Sequence, residues 1–354
     1  MVDPVRFASA FIPAVLIVGA AVAGCSNDTT GDASMPTSAS ATTVSTSPTT
    51  SVDLAALAPR AGYGIYDSGD GRCTVLAGHG LSNPVPVASV FKLWILGAVA
   101  RSIDKGDIGW DTPVAIRDTL RSDPSGEVYG YPAGQEVPVS KLAELMISIS
   151  DNTATDHLID LIGEKAIADV IREIAPDGAE HTLPLLSTAD MARLKFVHPN
   201  LGREYASLDP DTRSQFVLTL PERGPFPWPD DPAAINRLDL TTPNFIDEIE
   251  WFASGTDLCR TMVDLARLSN KPGLEPLDAM LSANPGVPPD QARAWTTTWF
   301  KGGSEPGVVA LAYRLATDEL DRVVVIALSD PDAPLTQQTD GQKIIETILS
   351  AAQH

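Results

Sequence analysis

Apolar and polar positions divide this chain into three zones. Phe7 to Ala23 is a nearly unbroken apolar run, Ser26 to Ser51 is almost entirely Ser, Thr, Asp, Ala and Gly, and a folded pattern begins near Val52. Tyr63–Ser68 and Arg72–Ala77 are short β-like runs on either side of Gly69-Asp70-Gly71, and Asp-Gly at that point is a hairpin signal. A Gly- and Pro-rich loop, residues 78–86, leads to a helix opened by Ser89. Its apolar residues Val90, Phe91, Leu93, Trp94, Ile95, Leu96, Ala98 and Val99 run nearly all the way round, which predicts a buried helix.

Residues 121–135 hold five Gly or Pro and read as loop. Helical spacing returns at Val139–Ile149, stops at Ser150-Asp151-Asn152, and resumes in Thr153–Ile162 and Ala166–Ile174. A further helix starts at Ser187-Thr188-Ala189-Asp190 and ends near Val197. His198 to Ile249 reads as a long irregular insertion, and Gly255–Leu268 as a helix. The last third holds an aromatic, Thr-rich stretch at Trp295–Phe300, β-rich runs at Val308–Leu315 and Arg322–Leu328, and a closing helix at Gln342–Ala352. Two strands early, a helical middle and three strands late predict an α+β arrangement, with one sheet assembled from both ends of the chain and a helical lobe between them.

Composition changes this picture mainly at the amino end. Arg6, the seventeen-residue apolar run and the small residues Val22-Ala23-Gly24 read as a secretory signal peptide over 1–24, too short and too rich in Gly and Ala for a spanning helix. Cys25 directly after them resembles the lipobox of bacterial lipoproteins, which implies lipid attachment to its thiol and an exported protein on the outer face of the cell membrane. Residues 25–52 then form a disordered tether, because a segment without aromatic side chains cannot bury enough apolar surface to offset its ordering entropy. Residues 53–354 are the globular domain, expected as a monomer. A net charge of −21 argues against nucleic-acid binding, since phosphates are repelled. Cys73 and Cys259 are read as two buried free thiols, because nothing in the sequence brings their segments together; a disulfide is the alternative that export allows.

The candidate chemistry starts from Ser89 and Lys92, which lie one helical turn apart on one face. An amine held among apolar residues loses its proton more readily and can activate a serine hydroxyl, while unpaired N–H groups at a helix start stabilise developing negative charge. Ser150, Asp151 and Asn152 fall on a turn between two helices, where Asp151 or Asn152 can cap the second helix or face a cleft. Elbow, zinc and phosphate-loop motifs are lacking, His157 reads as surface or packing, and neither metal nor cofactor is implied.

Ser89-x-x-Lys92, Ser150-Asp151-Asn152 and Lys301-Gly302-Gly303, in this order, resemble the motifs of the penicillin-recognising serine enzymes, above all class A β-lactamases. The resemblance covers about Tyr63 to the end. It implies a five-stranded antiparallel sheet flanked by helices beside an all-helical subdomain, with the active site at their junction. It further implies Ser89 as nucleophile, Lys92 as its base, and Ser150 as a proton relay toward the leaving nitrogen. Asn152 is implied to bind the substrate amide, Lys301 a substrate carboxylate, Gly302 and Gly303 an extended substrate along the strand, and the N–H of Ser304 to complete an oxyanion hole with that of Ser89.

Two departures stand out. Gly302 occupies a place where the family commonly has a hydroxyl residue, and no Glu-x-x-Leu-Asn segment is present to supply the deacylating glutamate. Glu222, Glu248 and Glu250 are the candidates, with Glu250 favoured because it lies just before the Gly255 helix. The expected function is a β-lactamase-like serine hydrolase acting through a Ser89 acyl-enzyme on a β-lactam or related amide. The alternatives are a DD-peptidase, an esterase or weakly active penicillin-binding protein acting on a peptidoglycan-like substrate, and a non-catalytic envelope lipoprotein.

Overall fold

The computed structural model describes residues 54, 56–122, 126–219, 239, 241–335 and 339–353. The expected signal peptide, Cys25, the tether and Glu222 lie outside the described residues. Strands β1 (Arg60–Asp67) and β2 (Thr74–His79) form the early hairpin. A two-residue strand β3 (Val85–Pro86) and a 3₁₀ turn (Ala88–Phe91) then feed α1 (Lys92–Lys105). A small ladder of β4 (Pro113–Ala115) and β5 (Glu136–Pro138) precedes α2 (Val139–Ser148), α3 (Asn152–Ile162), α4 (Glu164–Ile174), α5 (Pro176–Thr182) and α6 (Thr188–Ala192).

The stretch expected to be irregular is partly helical. After a π-helical turn over Arg193–Val197 come α7 (Pro199–Ala206) and α8 (Pro210–Leu218), each opened by a proline at its first position. There the missing proline N–H removes no hydrogen bond, and Asp209 caps α8 by accepting from the N–H groups of Asp211 and Thr212. These capping signals outweigh the weak periodicity that suggested a loop. The chain then returns through β6 (Phe252–Ala253) to α9 (Gly255–Ser269), α10 (Pro276–Ser282) and α11 (Pro289–Ala292). Strands β7 (Thr297–Glu305), β8 (Val308–Ala316) and β9 (Asp321–Ser329) and helix α12 (Thr339–Ala351) complete the chain.

The five long strands make one antiparallel sheet in the order β2-β1-β9-β8-β7, so the sheet is built from both chain ends as the pattern predicted. The unbroken apolar run of β9 follows from its central place. Val323 and Val325 face the large core shared with α1 and α9, whereas Val324 and Ile326 face a second core that includes Ile348 and Leu349 of α12. Helix α1 is buried along Lys92–Ala100, as its all-round apolar pattern required, and the Trp94 indole N–H satisfies itself on Thr261 of α9 at 3.0 Å.

The free-thiol reading of Cys73 and Cys259 is overturned: the two form a disulfide with Cα atoms 6.0 Å apart, tying the start of β2 to α9. Packing α9 against the sheet brings together residues 186 positions apart, a proximity that no local pattern encodes. Among the described residues no helix is long and apolar enough to cross a membrane.

Candidate active site

Four segments converge where the sheet edge meets the helical lobe. Ser89 sits in the 3₁₀ turn that opens into α1, half-buried, with Lys92 fully buried at the start of the helix. This turn is held from two sides. The N–H of Val87 donates to the carbonyl of Trp251 at 2.9 Å, continuing the β3–β6 ladder, and the Phe91 ring stacks on Trp251 with centroids 3.7 Å apart. On the other side β7, an edge strand, crosses the turn so closely that a Cβ on Gly303 would begin 2.6 Å from the Ser89 nitrogen and 2.5 Å from the Val87 oxygen. Glycine at 303 is therefore a steric requirement of strand-on-turn packing. Gly302 faces the other way, where a Cβ would begin 2.8 Å from the tip of the Phe300 ring. The absent side chain at Gly303 lets the strand reach the Ser89 turn.

Ser150 terminates the α2–α3 connection and is the hub of the polar contacts. Its hydroxyl lies 3.1 Å from the Lys92 amine and 3.0 Å from the Lys301 amine, so one small side chain joins two lysines on different elements. Lys92 also donates to the Ser150 carbonyl at 2.7 Å and to Asn152 Oδ1 at 2.5 Å, and Lys301 donates to the Gly302 carbonyl at 2.6 Å. Burial, and secondly the positive charge of Lys92, pull the Lys301 amine well below the ordinary lysine value. Ser89, Lys92, Ser150, Asn152, Lys301, Gly303 and the exposed Ser304 are thus brought to one place.

Two backbone positions here carry strain that the sequence did not announce. Ala88, immediately before Ser89, has φ 44°, and Ser150 has φ 60°, a region L-residues seldom adopt. Ala88 is held there because its methyl group packs into a buried cluster with Ile246 and Val308. Ser150 is held by its neighbour: the Asp151 carboxylate caps α3 through the Ala154 N–H at 2.8 Å and clamps the preceding loop through the N–H groups of Glu127 and Val128 at 2.7 and 2.9 Å. Asp151 is accordingly the structural member of its triplet, as capping predicted. His157 is also structural, accepting from the Arg117 N–H at 2.9 Å while its other nitrogen meets the Thr153 carbonyl.

Glu250 sits in a buried ionic cluster. Its side chain is wholly buried, Oε1 accepts from the Trp251 N–H at 2.9 Å, and Oε2 lies 3.8 Å from the amine of Lys195. Lys195, also wholly buried, donates a short hydrogen bond to Glu305 at the end of β7. Burial first, then the negative charge of Glu305, raise the Glu250 carboxyl well above the usual carboxylate range, with Lys195 opposing. Glu248 is exposed. A separate cavity of about 300 Å³, bordered by Arg60, His181, Asp247 and Ser329, contains none of the motif residues.

Sequence reasoning missed Lys195, Glu305 and the buried Asp156. The last anchors α6 to α3 by accepting from the Thr188 N–H and hydroxyl and the Ala189 N–H, at 2.8, 2.8 and 3.0 Å. A signal for Lys195 was present: like Lys92, it stands among apolar residues, between Leu194 and Phe196.

Comparison with known proteins agrees with this geometry. Residues 54–196 match the model of the Beta-lactamase enzyme family. Similar solved structures include a beta-lactamase from Sphaerobacter thermophilus (23% identity, TM-score 0.53, covering 82% of this chain and 89% of that one). Another is a beta-lactamase from Xanthomonas campestris (16%, 0.54, 82% and 90%). A third is an acyl-enzyme complex of a PBP-A variant with penicillin G (18%, 0.54, 82% and 88%). These structures establish the fold. No curated protein sequence matches this one.

Proposed function

We propose that the chain, whose residues 54–196 match the model of the Beta-lactamase enzyme family, is a serine hydrolase whose Ser89 is acylated by a β-lactam or a related amide. The observation that carries this reading is the Lys92–Ser150–Lys301 chain, with one hydroxyl at 3.1 and 3.0 Å from two buried amines. A serine hydroxyl carries a single hydrogen, so it can accept from one ammonium while donating to the other amine only when that amine is neutral. With Lys92 neutral, the Ser89 hydroxyl proton passes to Lys92 as Oγ attacks the carbonyl carbon. Ser150 then carries a proton from Lys92 to the leaving nitrogen as the C–N bond breaks. Lys301, at the cleft edge of β7, offers positive charge to a substrate carboxylate, and the Ser89 and Ser304 N–H groups stabilise the oxyanion. The protein works from the outer face of the membrane, tethered through lipid on Cys25.

The burial of Glu250 favours a second reading for the step that follows. A carboxyl that is raised by burial and packed against Lys195 and Glu305 is a poor base for a cleft water, so the acyl-enzyme forms readily and hydrolyses slowly, as in a penicillin-binding protein.

Intact-mass measurement over time with benzylpenicillin, alongside turnover of a chromogenic cephalosporin, tests both. A 1:1 adduct that disappears in Ser89→Ala supports the acylation reading, and labelling of that variant at the wild-type rate sinks it. Persistence of the adduct with little turnover supports slow hydrolysis; rapid turnover excludes it.

A further inference from the structure

Lys195, Glu250 and Glu305 form a buried ionic cluster outside the motif residues, and they come from three separate elements. Lys195 lies in the π-helical turn after α6, Glu250 precedes β6, and Glu305 ends β7. Glu250 is directly bonded along the chain to Trp251, which stacks on Phe91 and accepts from the Val87 N–H. Glu305 follows Ser304 and lies two residues after Gly303, the point at which β7 touches the Ser89 nitrogen. The two walls that grip the Ser89 turn therefore end in carboxyl groups that meet one ammonium. The same region is buttressed by Asn244, whose side-chain amide donates to the Lys195 carbonyl, and by Pro243, which packs against Gly307 of the β7–β8 turn.

Burying an ion pair costs more desolvation than apolar packing of the same volume, so such a cluster is a weak source of stability and a strong source of specific geometry. We propose that Lys195 is a positioning residue for acyl transfer: by holding Glu305 and Glu250 together, it sets β7, with its Ser304 N–H, and the Trp251 wall at fixed separation on either side of Ser89. This rests on the acylation reading above. Lys195 touches neither substrate nor the reacting atoms; it acts through the two strands that do. Loss of the cross-tie lets β7 shift relative to Ser89, and displacements on the scale of 1 Å in such sites lower rates by about 100-fold.

The test is the first-order acylation rate constant at saturating benzylpenicillin, measured by rapid-quench intact mass, together with the half-saturating concentration. A first-order constant does not depend on how much of the preparation is folded, so lost stability alone leaves it unchanged. Lys195→Met is expected to lower it roughly 10- to 100-fold with the half-saturating concentration little altered. Glu305→Leu should reproduce that loss and serves where Lys195→Met does not fold, while Glu305→Gln, which still accepts from Lys195, should recover most of it. Lys195→Met and Glu305→Leu both acylating within about threefold of wild type overturns the proposal and leaves the acylation reading intact, well inside the 100-fold effect at issue. Absence of any Ser89 adduct in the wild-type protein overturns both.

Discussion

Two lysine clusters adjoin the elements that hold the Ser89 turn, and they are built on opposite plans. At the candidate centre two lysines share a serine hydroxyl and carbonyl or amide oxygens. In the second cluster one lysine is shared by two carboxyl groups. Burial first, and then the neighbouring Lys92 ammonium, shift Lys301 down. Burial first, and then the neighbouring Glu305 carboxylate, shift Glu250 up. The first arrangement weakens an amine's hold on its proton, and the second strengthens a carboxyl group's hold on its own. Burial of a charged side chain is thus not by itself a mark of catalysis; the sign of what it is buried with decides its use.

The largest effect expected to sharpen this contrast is at Lys92. Replacing Lys92 by Met removes the base and should lower the Ser89 acylation rate by about 10²–10⁴-fold, read by the same intact-mass time course. Acylation at the wild-type rate would break the comparison, because the amine pair would then be structural too.

An intermediate effect is expected far from both clusters. The Cys73–Cys259 bond anchors β2, at the sheet edge opposite β7. Cys73→Ser with Cys259→Ser should cost about 2–5 kcal/mol in urea unfolding while leaving the acylation rate of the folded protein near wild type. A comparable drop in acylation would show that the sheet transmits strain across its full width.

The smallest effect separates the two carboxyl groups. Glu250 has a folded-state pKa above its unfolded value, so its contribution to stability is complete below the unfolded value and is lost as pH rises toward the folded one. Glu250→Gln cannot titrate. The Tm of the variant minus that of wild type should therefore grow by a few degrees, on the order of 1 kcal/mol, between pH 5 and pH 9. A difference that stays flat would place the proton elsewhere in the cluster.

Much of the candidate site was legible because its parts are local signals. Ser89 and Lys92 are separated by one turn, and Ser150 falls where one helical period stops and another starts, features carried by a handful of adjacent residues. At Gly303 a missing side chain says only that something approaches closely, and the structure adds that the Val87–Val90 backbone does so. Helices α7 and α8 were overlooked although Asp209-Pro210 carried the capping signal. The Lys195 cluster could not be assembled from the sequence: its three members are separated by 55 positions in sequence on each side, and only the packing of their elements brings them together.

By itself the sequence determined which faces are apolar, and hence the buried α1, the central β9 and the order of strands early and late, because burial follows the side-chain period of each element. It also determined the residue types available for acyl transfer. The tertiary structure alone decided that Cys73 meets Cys259, that Ser150 lies between two amines, and that Glu250 is buried beside Lys195. Those outcomes depend on how the elements pack, and packing is set by the summed fit of many side chains, which no short stretch of sequence contains.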